Sequence, residues 1–155
     1  MIHIRRPLAL LAIPLLALTC MTTALPAHAQ GGRFIDINDN RGGNVLQMVQ
    51  RRSELERSGK TVRIRGYCRS ACTILTTLPN ACLGPHARIG FHAPRIPNTQ
   101  IIPPYVDQIM GNYYRGGIRD RWFGGWNRSL EMQVISARDY VRLDPQTRIC
   151  DSIRP

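Results

Sequence analysis

Between Thr61 and Pro94 the chain switches period twice within a short span, and few folds can accommodate that. Thr61-Val-Arg-Ile-Arg65 alternates polar and β-branched apolar residues, the two-residue period of a strand. Gly66 interrupts it, and Ser70 opens an apolar run that continues to Leu78 at helical length. Strand composition then returns in Arg88-Ile-Gly-Phe-His92, ahead of Ala93-Pro94. Strand, helix and strand in such close succession predict an α/β fold with crossovers between parallel strands.

The same order stands upstream. Arg33-Phe-Ile-Asp-Ile37 has strand composition, and residues 38–43 are dense in turn formers, ending in Gly42-Gly43. Val45, Leu46, Met48, Val49 and Leu55 follow at helical spacing, and Ser58-Gly59 closes the helix before the next strand. In parallel sheets of this kind ligands sit beyond the carboxyl ends of the strands, which is where Gly43 and Ser70 both fall.

Ser70 is therefore a candidate nucleophile at a strand-to-helix turn. The free N–H groups of a first helical turn, that of Ala71 among them, can stabilise charge developing on a carbonyl oxygen. The plain alternative is that Ser70 only caps the helix. A serine nucleophile needs a base within hydrogen-bond reach. His92 is the candidate, because strand alternation directs Ile89 and Phe91 to one face and Arg88, Gly90 and His92 to the other.

With Gly42-Gly43, Gly66 to Ser70, and His92 before Pro94 in this order, residues 35–93 resemble the Clp protease proteolytic subunit and its crotonase-like relatives. The resemblance implies a crotonase-like α/β domain of βαβ repeats around a parallel sheet. It also implies peptide-bond hydrolysis by Ser70 and His92, with an oxyanion hole formed by the N–H groups of Gly43 and Ala71. Asp39 stands where the family has Asn. The family's triad Asp falls on Met132, next to Glu131, so Glu131 is the candidate acid and Asp139 the second. A Ser-Lys dyad is disfavoured, since Lys60 is the only lysine and precedes the strand leading to Ser70. The alternative is a non-catalytic relative that binds an extended peptide or an anionic envelope partner. Family members assemble into rings or trimers, so an oligomer is open to this chain as well.

Arg5-Arg6, the apolar stretch from Pro7 to Leu18 and Ala27-His28-Ala29 have the three regions of a secretory signal peptide, predicting cleavage after Ala29 and a single domain over 30–155, periplasmic or secreted. Cys68, Cys72, Cys82 and Cys150 then remain, an even number for an oxidising compartment, and disulfides are expected in preference to metal ligands. Four cysteines allow three pairings. The resemblance puts Ile149–Ile153 beside the strand beginning near Cys82, implying Cys82–Cys150, and that leaves Cys68 with Cys72 across a spacing a turn can bridge. No metal or cofactor is expected.

Residues 30–155 carry 19 basic and 10 acidic side chains, a net charge of +9 that is almost all arginine and suits anionic surfaces. Pro94–Pro104 holds four prolines and reads as an exposed loop that could border a substrate groove. Tyr105–Trp126 reads as an amphipathic helix broken at Gly116-Gly117, Ser129–Leu143 as a last helix, and Ile149–Ile153 as a closing strand. Aromatic residues interleaved with arginine can stack on bases. No nucleic-acid motif accompanies them, so no specific nucleic-acid partner is expected, and the resemblance implies a peptide or protein substrate.

Overall fold

The computed structural model describes residues 32–150. The signal peptide, the expected cleavage at Ala29 and the part of the closing strand beyond Cys150 lie outside the described residues. Val62 and Ile64, fully buried, anchor β2 (Thr61–Arg65) at the centre of a parallel sheet. Beside it run β1 (Phe34–Asn38) on one flank and β4 (Ala81–Leu83) on the other. Asp36 lies opposite Arg63 in the β1–β2 register, and the two join through a pair of 2.6 Å hydrogen bonds. The Arg63 guanidinium covers the Phe34 ring, at 4.3 Å, and so lines a half-apolar surface as well as pairing a charge. Helix α1 (Val45–Arg57) crosses between β1 and β2, capped by the Asn44 side chain, which accepts the Gln47 N–H.

Two strands bend out of this sheet into a second one. Gly66, at φ +63°, turns β2 into β3 (Tyr67–Arg69). A side chain there would collide with the Asp39 carboxylate, which accepts the Tyr67 N–H at 2.8 Å. Asp39 thus fixes the bend. Gly84 to Ala87 likewise turns β4 into β5 (Arg88–Phe91), which runs parallel to β3. The second sheet is completed by β6 (Gln133–Ser136), antiparallel to β5. Its Val134 and Ile135 make strand of a stretch whose sequence reads as the start of a long helix. That helix, α4 (Ala137–Leu143), begins only after Ser136, whose hydroxyl caps it by accepting the Asp139 N–H. The closing strand β7 (Arg148–Ile149) lies parallel to β4 at the far edge of the first sheet, beside the strand that the resemblance implied.

The segment Ser70–Thr77 is a 310 helix rather than an α-helix, and long for one. Thr73, Thr76 and Thr77 each donate a hydroxyl hydrogen bond to the carbonyl three residues back, at 2.7, 2.7 and 2.8 Å. Arg52 and Arg115 both reach the Thr77 carbonyl, so two cations meet the carboxyl end of the segment where its dipole is negative.

Helices α2 (Val106–Gly111) and α3 (Gly116–Phe123) replace the single broken helix expected over 105–126. The break falls before Gly116, which begins α3 instead of interrupting it. Tyr114 and Trp122 are fully buried, and with Phe91 and Tyr140 they form an aromatic cluster with ring centroids 5.1–6.4 Å apart. These rings serve the core and offer no stacking surface. Disulfides join Cys68 to Cys72 and Cys82 to Cys150, with Cα atoms 5.5 and 5.0 Å apart. Among the described residues no helix is long and apolar enough to cross a membrane.

Candidate active site

Ser70 and His92 each leave the carboxyl end of a strand, and those strands, β3 and β5, are neighbours. Arg69 pairs with Gly90 in the parallel register, so Ser70 stands one residue past its strand and His92 one past the strand beside it. Adjacent strands lie about 4.8 Å apart, and this spacing brings the two residues to one sheet edge.

The turn at Ser70 is strained. Its φ of +56° lies in the left-handed region that a serine enters only at a cost of roughly 1 kcal/mol or more, so the surrounding contacts must enforce it. Three contacts do so. The Cys68–Cys72 bridge, fully buried, ties the residues on either side. Arg69 donates its N–H to the Asn40 carbonyl at 3.0 Å. Gly42 approaches so closely that a Cβ there would lie 2.7 Å from the Arg69 carbonyl oxygen and from Ser70 Cβ, and 2.8 Å from the Ala71 nitrogen. Only glycine permits the two turns to meet.

The upstream turn is held in the same way. Asn40 accepts the Gly42 N–H through its side chain at 2.8 Å. Gly43 is exposed, at φ +125°, and its N–H meets no acceptor among the described residues, whereas Ala71, the other expected oxyanion donor, is a fully buried residue of the 310 segment. A shallow depression of about 230 Å³ is lined by Gly42, Gly43, Asn44, Gln47 and Arg51, among others, and its lining includes neither Ser70, Ala71 nor His92.

His92 is half-buried, with its Nδ1 2.7 Å from the Ala93 carbonyl oxygen. A carbonyl can only accept, so Nδ1 carries the proton and the neutral ring keeps its lone pair on Nε2. Burial, reinforced by the positive charges of Arg95 and Arg69 and opposed by the Ala93 hydrogen bond, holds the imidazole below its ordinary range. At neutral pH the ring is uncharged and able to accept a proton. No hydrogen bond joins His92 to the Ser70 hydroxyl.

The acids lie elsewhere. Glu131 is exposed, and its side chain makes no hydrogen bond among the described residues. Asp139 accepts from Ser136 Oγ at 2.6 Å and pairs with Arg142, which together hold its carboxyl below the usual range. Met132 packs its sulfur against Gly90, in the strand leading to His92. The backbone carbonyl of Ala93 therefore takes the position on Nδ1 that an acid would occupy, a partner no side-chain pattern in the sequence reveals.

Sequence patterning also missed a polar network beneath the 310 segment. Asp144, almost fully buried, accepts from Arg115 Nη2 and Thr147 Oγ1, each at 2.8 Å. Thr73 and Thr76 hydrogen-bond Tyr114 and Tyr140 at 2.6 and 2.7 Å, and burial pushes both phenols well above their ordinary range. All four cysteines of residues 32–150 are bridged, which leaves no thiolate there for a metal. Compared with protein-family models and with curated proteins, the chain finds no match.

Proposed function

We propose that this protein is an exported serine hydrolase of peptide bonds, a small relative of the Clp protease proteolytic subunit within the crotonase-like group. The observation that carries the reading is the strained Ser70 turn, packed against Gly42 at the carboxyl end of a strand that pairs with the strand leading to His92. Backbone strain at a non-glycine residue marks sites where geometry serves function. Strained strand-to-helix turns present the nucleophile in other hydrolases too. Two disulfides suit an oxidising compartment, in agreement with the signal-like N-terminus.

In this reading His92 Nε2 takes the Ser70 proton as Oγ attacks the scissile carbonyl, and the Gly43 and Ala71 N–H groups receive the oxyanion. His92 then returns the proton to the leaving amine, and water hydrolyses the acyl-enzyme. The Ser70–His92 hydrogen bond forms as substrate closes the crevice, since catalytic hydrogen bonds are often open in the free enzyme. The Ala93 carbonyl fixes the tautomer, and Glu131 is kept from the resemblance as the candidate for a third side chain.

A second reading, a non-catalytic relative that keeps the crevice for an extended peptide, is favoured by the absence of a carboxylate on His92. A fluorophosphonate probe separates the two. Labelling at Ser70, abolished by Ser70→Ala and strongly slowed by His92→Ala, is expected of the hydrolase. An unlabelled native protein would leave the binding module.

A further inference from the structure

Arginines that lack carboxylate partners lie close to the candidate site residues in the chain. Arg52, Arg63, Arg65, Arg115 and Arg142 each pair with an acid of the same chain. Arg51, Arg69 and Arg95 pair with none among the described residues. The neighbouring acids are already engaged, Asp36 by Arg63 and Asp39 by the Tyr67 N–H. Arg69 immediately precedes Ser70, its guanidinium 5.8 Å from the centre of the Tyr67 ring. Arg95 follows His92 by three residues on an exposed loop. On the other side of Ser70, Arg51 lines the depression beside Gly43 with the amide side chains of Asn44 and Gln47.

Like charges gathered around a neutral imidazole repel one another and make the base harder to protonate, so the fold gains nothing from them. They gain a partner of opposite charge only when an anion enters. A guanidinium fork matches a carboxylate in a bidentate way, and a partly desolvated site strengthens that pairing. A peptide presented to Ser70 would pass Arg69, the residue before it, and Arg95, three residues after His92. We infer that the site selects peptides carrying a carboxylate next to the bond presented to Ser70, held by Arg69 and Arg95. This inference rests on the hydrolase reading for the identity of the bond, and not for the binding itself.

Calorimetry on the mature Ser70→Ala protein tests it with three matched peptides: one with an internal aspartate and an amidated terminus, one with asparagine in its place, and one with asparagine and a free terminal carboxylate. Binding of the aspartate or the free-carboxylate peptide at least about tenfold tighter than the neutral one is expected, and which of the two gains shows the source of the carboxylate. Arg95→Gln, at an exposed position, should bring the gain to within about threefold while sparing the neutral peptide, and Arg69→Gln should do the same. Equal affinity for all three peptides, binding of none, or a gain that survives both substitutions overturns the inference. Fluorophosphonate labelling of the native protein keeps the two readings apart. Labelling without carboxylate selectivity removes this inference alone, and selectivity without labelling removes the hydrolase reading alone.

Discussion

The two disulfides should fail in opposite ways. Cys82–Cys150 closes a separation of 68 residues and ties β4 to the end of the chain beyond β7. In the chain-entropy model such a loop contributes about 4 kcal/mol, whereas Cys68–Cys72, with a separation of 4, contributes only about 2 kcal/mol. Activity should rank them in reverse. The short bridge flanks Ser70 and restrains its φ of +56°, a conformation costing about 1–3 kcal/mol. If the turn relaxes by even 1.4 kcal/mol before substrate binds, the competent population falls about tenfold. Cys68→Ala/Cys72→Ala should therefore lose about 2 kcal/mol in urea unfolding and at least about tenfold in the rate of fluorophosphonate labelling. Cys82→Ala/Cys150→Ala should lose about twice that stability and label at close to the native rate where it remains folded. The reasoning is refuted if the Cys68/Cys72 variant labels within twofold of native, because Gly42 and Asn40 would then hold the turn unaided.

Asp144→Ala strands Arg115 and Thr147 inside the core and should cost about 3–5 kcal/mol in denaturant unfolding, while Asp139→Asn, at an exposed pair, should leave the unfolding midpoint close to native. Glu131→Gln should alter turnover by no more than about threefold, since the Ala93 carbonyl already holds Nδ1, and a loss beyond about a hundredfold would instead make Glu131 the third member of a triad. Because the His92 pKa is lowered, the acid limb of kcat/KM should lie below about 6.5, and Arg95→Gln should move it upward in a pH–rate profile. The sign for stability follows. The unfolded chain takes up this proton first, so the contribution of His92 is present above about pH 6.5 and lost as pH falls through the folded value.

The parts of the fold that the sequence reveals are those where side-chain period and burial agree. Val62 and Ile64 alternate with polar neighbours and lie in the core, and the βαβ order of the first half follows from that pattern. Gln133–Ser136 defeats it, because Val134 is substantially exposed and Ile135 only partly buried, so no clean alternation marks the strand within a stretch that reads as helix. The bends at Gly66 and Gly84–Ala87 are legible as glycines but not as passages into a second sheet. Which sheet a strand enters is decided by its partner: the register of β3 with β5, and not the composition of either, makes neighbours of the strands that lead to Ser70 and His92.

The orientation of His92 shows why the rest of the site resists reading from side chains. A triad is sought as three residue types, and here the acid position falls on Met132, whose thioether packs against Gly90 and can neither accept a strong hydrogen bond nor stabilise an imidazolium. The tautomer is nevertheless defined, because the Ala93 carbonyl accepts from Nδ1 and leaves Nε2 as the only basic atom. A carbonyl carries a partial charge where a carboxylate carries a full one, so this arrangement orients the base while stabilising its protonated form less. Arg69 and Arg95 push the same way, favouring the neutral ring before reaction and disfavouring the cation formed during it. A bound carboxylate between those two guanidiniums would cancel that penalty at the moment the imidazolium appears. The substrate would then supply the negative charge that the chain omits, and turnover of acidic peptides should exceed that of their amide counterparts in kcat as well as in KM. A preference confined to KM would mean that the arginines bind the substrate without assisting the base.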